Sequence, residues 1–289
     1  MDVSIIIPNR DSTLVDETLR SVLAQTSFDR VAEVLVVGVD RLGRVVESGS
    51  VRFINTGKPV TAPVARNIGI RSATGSFLVF IDADCIAEPD WLEHLLAAQQ
   101  DGHKIVGGGI SLEAETFWQL CYNLTMFHEF LTVSPPGERR NLGTLNLCVA
   151  REVVEQVGLL NEGLVRGQDT EWTLRMRRHG YRLYFTPRAV VKHLPPVDSL
   201  WKILRTWYLS GCFNARIRDE YRDVIAAPPF YQWPLLLIAA SPVIGWAITV
   251  RIFARIPRSW RYLHTAPVLF LTKLAWCWGA ARGSRSFER

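Results

Sequence analysis

Two aspartates separated by one residue, Asp82 and Asp84, follow the apolar run Phe77 to Ile81. Carboxylates at that spacing, where a buried strand emerges into solvent, can serve two ligands in one crevice. One can meet a ribose hydroxyl while the other holds a hard divalent cation against phosphate oxygens. A solvated turn is the plain alternative, because aspartates commonly end strands. A second acidic group, Asp169, lies in the stretch Gly167 to Trp172 (GQDTEW) at the start of a helix, where a carboxylate also interacts with free backbone N–H groups and the helix dipole.

The elements that must position these groups alternate in type. Ser4 to Pro8 (SIIIP) reads as a buried strand, followed by Asn9, Arg10, Asp11 and an amphipathic helix through about Gln25. Another apolar strand runs through Val36, Val37, Gly38 and Val39 to Asp40 and Arg41, and a helix carrying Arg66 and Asn67 precedes Phe77 to Ile81. Lys104 to Gly109 reads as a further strand, whose glycines 107, 108 and 109 would let backbone approach a sugar. The helix after Asp169 places Trp172, Met176 and His179 on one face, pairs Glu171 with Arg175 at i,i+4, leaves Arg175, Arg177 and Arg178 solvated, and stops at Gly180. Tyr181 to Thr186 and Val190 to His193 follow as extended chain. Ligands of open α/β sheets bind at the carboxyl ends of the strands, where Asp82 and Asp84 fall.

The order strand, polar loop, helix, strand, Arg-Asn helix, strand and D-x-D resembles the family 2 glycosyltransferases, whose nucleotide-sugar-binding fold is called GT-A, from Val3 to about Gly211. The resemblance implies a Rossmann-like mixed sheet flanked by helices. It also implies that Pro8, Asn9 and Arg10 flank the donor base, and that Arg66 and Asn67 lie near base and diphosphate. A guanidinium fork suits that task. Of Asp82, Ala83 and Asp84, the first would take the ribose and the last the metal, with His193 completing the metal shell and Asn146, in Gly143 to Asn146, lying beneath the sugar. Asp169 aligns with the catalytic base of an inverting transfer. The cofactor is then Mn2+ or Mg2+, and an imidazole ligand tilts preference towards manganese. Two departures stand out: Gln168 replaces a usual glutamate, and the acidic pair expected after the second strand is absent, which displaces the base reader to Asp40 and leaves UDP-, GDP- and dTDP-sugars open. The loop Pro135 to Asn141, with Arg139 and Arg140, is expected to cover the site once donor binds.

The 289 residues suffice for a GT-A domain over 1–220 and a helical, membrane-associated region over 221–289. Five scattered cysteines point to a reducing compartment, and with the first strand starting at Ser4 no leader is expected. Phe230 to Val250 carries no formal charge and is long enough to span a bilayer, while Ala266 to Ala281 is shorter and contains Lys273. Arg251, Arg255, Arg258 and Arg261 lie between them, and a two-span hairpin would put these on the wrong side of the positive-inside tendency. An interfacial or re-entrant pair on the cytoplasmic face is therefore expected, with tryptophans near headgroups and arginines on anionic lipid. The net charge of +5 comes without a nucleic-acid-binding motif, so no nucleic acid is expected as a partner. Together with the resemblance, this implies transfer of a sugar to a membrane-held acceptor such as a polyprenyl-linked glycan or glycolipid. A soluble acceptor, or a module that binds sugar nucleotide without turnover, is the alternative.

Overall fold

In this computed structural model, which describes residues 2–225 and 233–285, strand β1 (Val3–Arg10) has Val3, Ile5, Ile6 and Ile7 fully buried, as a strand covered on both faces requires. It lies between β2 (Val31–Val39) and β4 (Phe77–Ile81), parallel to both, and β3 (Val51–Asn55) continues the parallel set outside β2. Beyond β4 the sheet turns mixed. β8 (Asn146–Ala150) runs antiparallel to β4 and to β6 (Ile105–Ile110), β9 (Tyr184–His193) is parallel to β6, and the short β5 (Cys85–Ala87) is antiparallel to β9. The order is β3-β2-β1-β4-β8-β6-β9-β5, with β7 (Gly137–Glu138) also on β9. Helices α1 (Val15–Leu23), α2 (Ala62–Ser72), α3 (Trp91–Gln100), α5 (Arg151–Val157) and α6 (Gln168–Arg178) belong to the same unit.

That unit comprises Met1–Ser111 and Pro135–His193; a second comprises Leu112–Ser134 and Leu194–Arg289. The division between compact units thus falls earlier than the expected boundary near 220 and takes an internal segment with it. Among its described residues the second unit is helical: α4 (Phe117–Phe127), α7 (Leu200–Glu220), α8 (Pro234–Arg255) and α9 (Ala266–Arg285). Thr116 and Gln119 close a reciprocal cap at the start of α4. Helices α7 and α9 approach closely because both carry glycine at the crossing: a Cβ on Gly279 would lie 1.9 Å from the Tyr208 carbonyl oxygen, and one on Gly211 2.2 Å from that of Trp276.

Lys273 does not interrupt an apolar surface. It turns inward, donates to the Thr125 carbonyl at 3.2 Å and stands 3.6 Å from the centre of the Trp207 ring. Helix α8 is the one described helix long and apolar enough to cross a membrane. The start of its apolar run, Phe230 to Gln232, lies outside the described residues.

Candidate active site

The D-A-D segment leaves β4 at Ile81, whose register partner is Asn146 on β8. Arg66 projects from α2 and donates through Nη2 to Asp82 Oδ1. The guanidinium is 3% exposed, yet Nε and Nη1 have no hydrogen-bond partner. A buried cation with two unanswered donors is costly unless an anion answers them. Asp82 and Asp84 remain partly exposed, so the crevice is open on the carboxylate side.

Strand pairing brings the metal-type ligands together. Cys85 on β5 is the register partner of His193 on β9, and Asp84 immediately precedes it. Asp84 Oδ1 lies 3.8 Å from His193 Nε2 and 3.9 Å from Cys85 Sγ, and the three ligand atoms fall within 4.8 Å of one another. Burial pushes the Asp84 carboxyl up, opposed by His193 and reinforced by the Asp82 charge. The same burial, with the Asp84 and Asp82 charges, pushes the Cys85 thiol well up. A carboxylate and an imidazole on one small volume fit a divalent cation, and a cation there would reverse these shifts.

Asp169 occupies the first turn of α6, entered through Gly167 in the left-handed conformation. Its Oδ1 accepts from the Thr170 backbone N–H at 2.8 Å. Burial pushes this carboxyl up; the Thr170 N–H and Arg66 pull it down, and Asp82 adds repulsion. The electrostatic influence of Arg66 and Asp82 links Asp169 to the crevice that holds Asp84. A partly desolvated carboxylate beside a cation site and an anion-seeking guanidinium is suited to removing a proton from a hydroxyl while an anionic leaving group departs.

Comparisons with known proteins give the family and the fold. The model of Glycosyl transferase family group 2 matches residues 77–279, and that of Glycosyl transferase family 2 matches residues 4–144. The chain is a family 2 glycosyltransferase. It is 28% identical to Glycosyltransferase AglE of Haloferax volcanii over 72% of this chain and 71% of that protein. Among solved structures it resembles the mannosyltransferase PcManGT of Pyrobaculum calidifontis, in complex with GDP-Man and Mn2+, with a TM-score of 0.62 at 18% identity, covering 99% of this chain and 88% of that one. It also resembles GalNAc-T7 with UDP, GalNAc and Mn2+, with a TM-score of 0.56 at 16% identity, over 76% of this chain and 54% of that one. The mixed sheet is thus the GT-A fold.

In this glycosyltransferase several expected site residues stand one layer behind the crevice. Asn67 donates to the Leu160 carbonyl and to Glu162 Oε1, both at 2.9 Å, and accepts from Leu160 N–H at 3.0 Å, which pins α2 to the segment before α6. Asn146 donates to the carbonyls of Gly109 and Ala189 and accepts from Trp91 Nε1 at 2.8 Å. Asn9 joins the Val39 carbonyl to the Ser12 N–H. All three amides are buried and satisfied by their own chain. Pro8 is half-buried and Arg10 exposed at the end of β1, while Ala83 is buried and its carbonyl accepts from Ser12 Oγ at 2.6 Å. Asp40 accepts from Val45 N–H through Oδ2 and keeps a buried Oδ1 without a partner, as does the Thr61 hydroxyl at the start of α2.

Other expectations are corrected by packing. Gly107, Gly108 and Gly109 lie within buried β6, where added Cβ atoms would meet Leu142, Asn146 and Pro187 at 2.5, 2.3 and 2.7 Å. They make room for the protein's own interior. Arg175 is not solvated: besides Glu171 it holds the carbonyls of Val157 and Leu159. His179 leaves the buried face of α6 and caps the helix end. Extended chain begins at Tyr184, three residues later than Tyr181. Apart from these corrections, the 135–141 loop pairs its Gly137–Glu138 segment with β9 and sets Arg139 over the Phe185 ring at 4.4 Å. Sequence reading missed Cys85, Thr61 and Ser12; the thiol directly after D-x-D was the one local signal.

Proposed function

We propose that this enzyme is an inverting, metal-dependent glycosyltransferase that uses a nucleotide diphosphate sugar and a membrane-held acceptor. One observation carries the donor reading: the buried Arg66 guanidinium has two donors unanswered beside Asp82, Asp84, His193 and Asp169. A diphosphate supplies the matching oxygens. Asp84 and His193 would hold Mn2+ or Mg2+, which when bound supplies positive charge against the leaving diphosphate. The solved relatives described with Mn2+ and with GDP-Man or UDP are consistent with both assignments. In this reading Asp82 meets the ribose, and the unpartnered Asp40 oxygen supports its role as base reader near Pro8, Asn9 and Arg10. Asn67 and Asn146 hold the supporting layer in place.

Asp169 takes the proton of the acceptor hydroxyl as that oxygen attacks the anomeric carbon. The new carbon–oxygen bond forms on the face opposite the breaking bond to the diphosphate, so the configuration inverts. Burial favours this by weakening solvation of the carboxylate, which raises its basicity.

The helical unit supports a membrane-held acceptor. On α8 the large apolar side chains Leu235, Leu236, Val243, Trp246 and Val250 face outward, whereas Ser241, Gly245 and Thr249 face inward. Leu237, Ile252 and Phe253 also turn inward, so α8 packs one face into its own unit and leaves a second, apolar face bare, an arrangement suited to lipid rather than water. Arg251, Arg255, Arg258 and Arg261 follow that face and suit anionic headgroups at an interface.

The test is a panel of radiolabelled UDP-, GDP- and dTDP-sugars, each with and without Mn2+ or Mg2+, offered with a polyprenyl phosphate or a soluble sugar acceptor. Metal-dependent transfer to the lipid is expected, and Asp84→Ala abolishes it. Transfer confined to the soluble acceptor overturns the membrane reading; donor binding without turnover identifies a binding module.

A further inference from the structure

We propose that Cys85 is a third protein ligand of the cation site and makes that site selective for thiophilic divalent ions such as zinc and cobalt over magnesium. The proposal rests on the reading of Asp84 and His193 as metal ligands and adds a sulfur to them. Cys85 and His193 are directly opposed in the antiparallel pair β5–β9, so their side chains leave the sheet on the same face. Asp84 Oδ1 lies 3.9 Å from the sulfur and 3.8 Å from the imidazole nitrogen. Ligand bonds of about 2.1–2.3 Å to a shared ion put ligand atoms about 3.4–3.8 Å apart along a tetrahedral edge. Closing these two spacings to that range takes a few tenths of an ångström, and the third, from sulfur to imidazole, falls within 4.8 Å. Cys85 is fully buried and His193 is 4% exposed, so the thiol is addressed to this interior cluster and shielded from surface oxidants.

The chemistry follows from the donor atoms. A carboxylate and an imidazole accept manganese as well as zinc, whereas an added sulfur shifts the preference further towards zinc, cobalt and cadmium and away from magnesium. As the sulfur–metal bond forms, the S–H bond breaks and the proton passes to solvent. Three protein ligands also leave fewer positions for diphosphate oxygens, so a zinc-loaded site competes with the manganese-loaded one.

Cobalt(II) titration of the full-length chain, of Cys85→Ser and of Asp84→Ala tests this by absorption spectroscopy. A thiolate ligand produces a sulfur-to-cobalt charge-transfer band in the near ultraviolet, and any ordered cobalt site produces visible ligand-field bands. The native chain is expected to show both, Cys85→Ser to keep the visible bands and lose the ultraviolet one, and zinc to displace cobalt from the native chain at least ~10-fold more readily than from Cys85→Ser, a gap of about 1.4 kcal/mol. Cobalt bound at Asp84 without an ultraviolet band, or with a band that survives Cys85→Ser, overturns the sulfur ligand and leaves the Asp84–His193 site standing. No cobalt binding sensitive to Asp84→Ala overturns both. Cys121, Cys148, Cys212 and Cys277 are retained in every variant, so adventitious thiol binding elsewhere would persist in Cys85→Ser and count against the proposal.

Discussion

Phe80 and Trp172 meet edge to face, with ring centroids 5.7 Å apart and planes at 89°. This contact ties the strand that ends just before Asp82 to the helix that begins near Asp169, and Trp172 Nε1 also holds the Gly158 carbonyl. Trp172→Leu removes a fully buried ring and leaves that carbonyl unpaired. The expected outcome is a loss of about 3 kcal/mol or more in denaturant unfolding, together with a turnover loss that exceeds the loss in donor affinity. Unchanged turnover in the folded fraction would show that this contact does not set the position of Asp169.

Arg66 is joined to Asp82 by one nitrogen and keeps two others buried without a hydrogen-bond partner. Arg66→Lys keeps a charge but loses the fork, and is expected to weaken nucleoside diphosphate binding about 10–100-fold by calorimetry, in line with about 1.5–3 kcal/mol for hydrogen bonds to charged groups. Equal affinity in that variant would remove Arg66 from the donor site.

Asp169→Asn is expected to lower turnover at least ~10²-fold while donor affinity changes little. The pH dependence has a defined sign. Because burial raises the Asp169 pKa, activity should fall as pH drops through a value above that of an ordinary aspartate, and recover as the group ionises at higher pH. In stability terms the raised pKa means that the folded state holds its proton to higher pH, so Asp169 costs stability above its folded pKa, and Asp169→Asn should stabilise the chain at neutral pH. Thermal unfolding across about pH 4–8, from the carboxylate range to neutrality, measures it. A destabilised variant would mark Asp169 as a helix-start support.

Asn146→Ala removes the acceptor of Trp91 Nε1 and the side-chain donor to the Gly109 and Ala189 carbonyls in the interior. A loss of about 3 kcal/mol or more in unfolding free energy is expected. Native stability with weakened sugar binding would instead make Asn146 a direct sugar contact.

Val243→Glu with Trp246→Glu places charge on the outward face of α8, where Val243 is 70% and Trp246 66% exposed. Flotation with vesicles containing anionic lipid should fall at least ~10-fold, since each large apolar side chain withdrawn from water is worth about 1.5–3 kcal/mol, while the melting temperature stays put. Undiminished flotation would reject α8 as the lipid-facing element.

Local pattern was enough to place the candidate groups at the ends of their elements. Asp82 and Asp84 stand where an apolar run must leave the interior, Asp169 stands where a helix must begin, and Arg66 sits on a short amphipathic helix before the strand. These are properties of neighbours along the chain, and hydrophobic period and turn chemistry report them directly. The roles of the asparagines were not legible, because an amide is spent or spare according to partners far away in sequence: Leu160 for Asn67, and Trp91, Gly109 and Ala189 for Asn146.

The sequence by itself determined which groups could act and that they would lie at strand and helix ends, since charge, period and residue type are carried locally. Only the tertiary structure decided their company. Placing β9 beside β5 sets His193 against Cys85, a pairing no local pattern specifies because strand order is a long-range choice. The inward turn of Ser241, Gly245 and Thr249 was likewise decided by packing: helix α8 offers apolar surface almost all round, and its neighbours select the face that lets backbones come close.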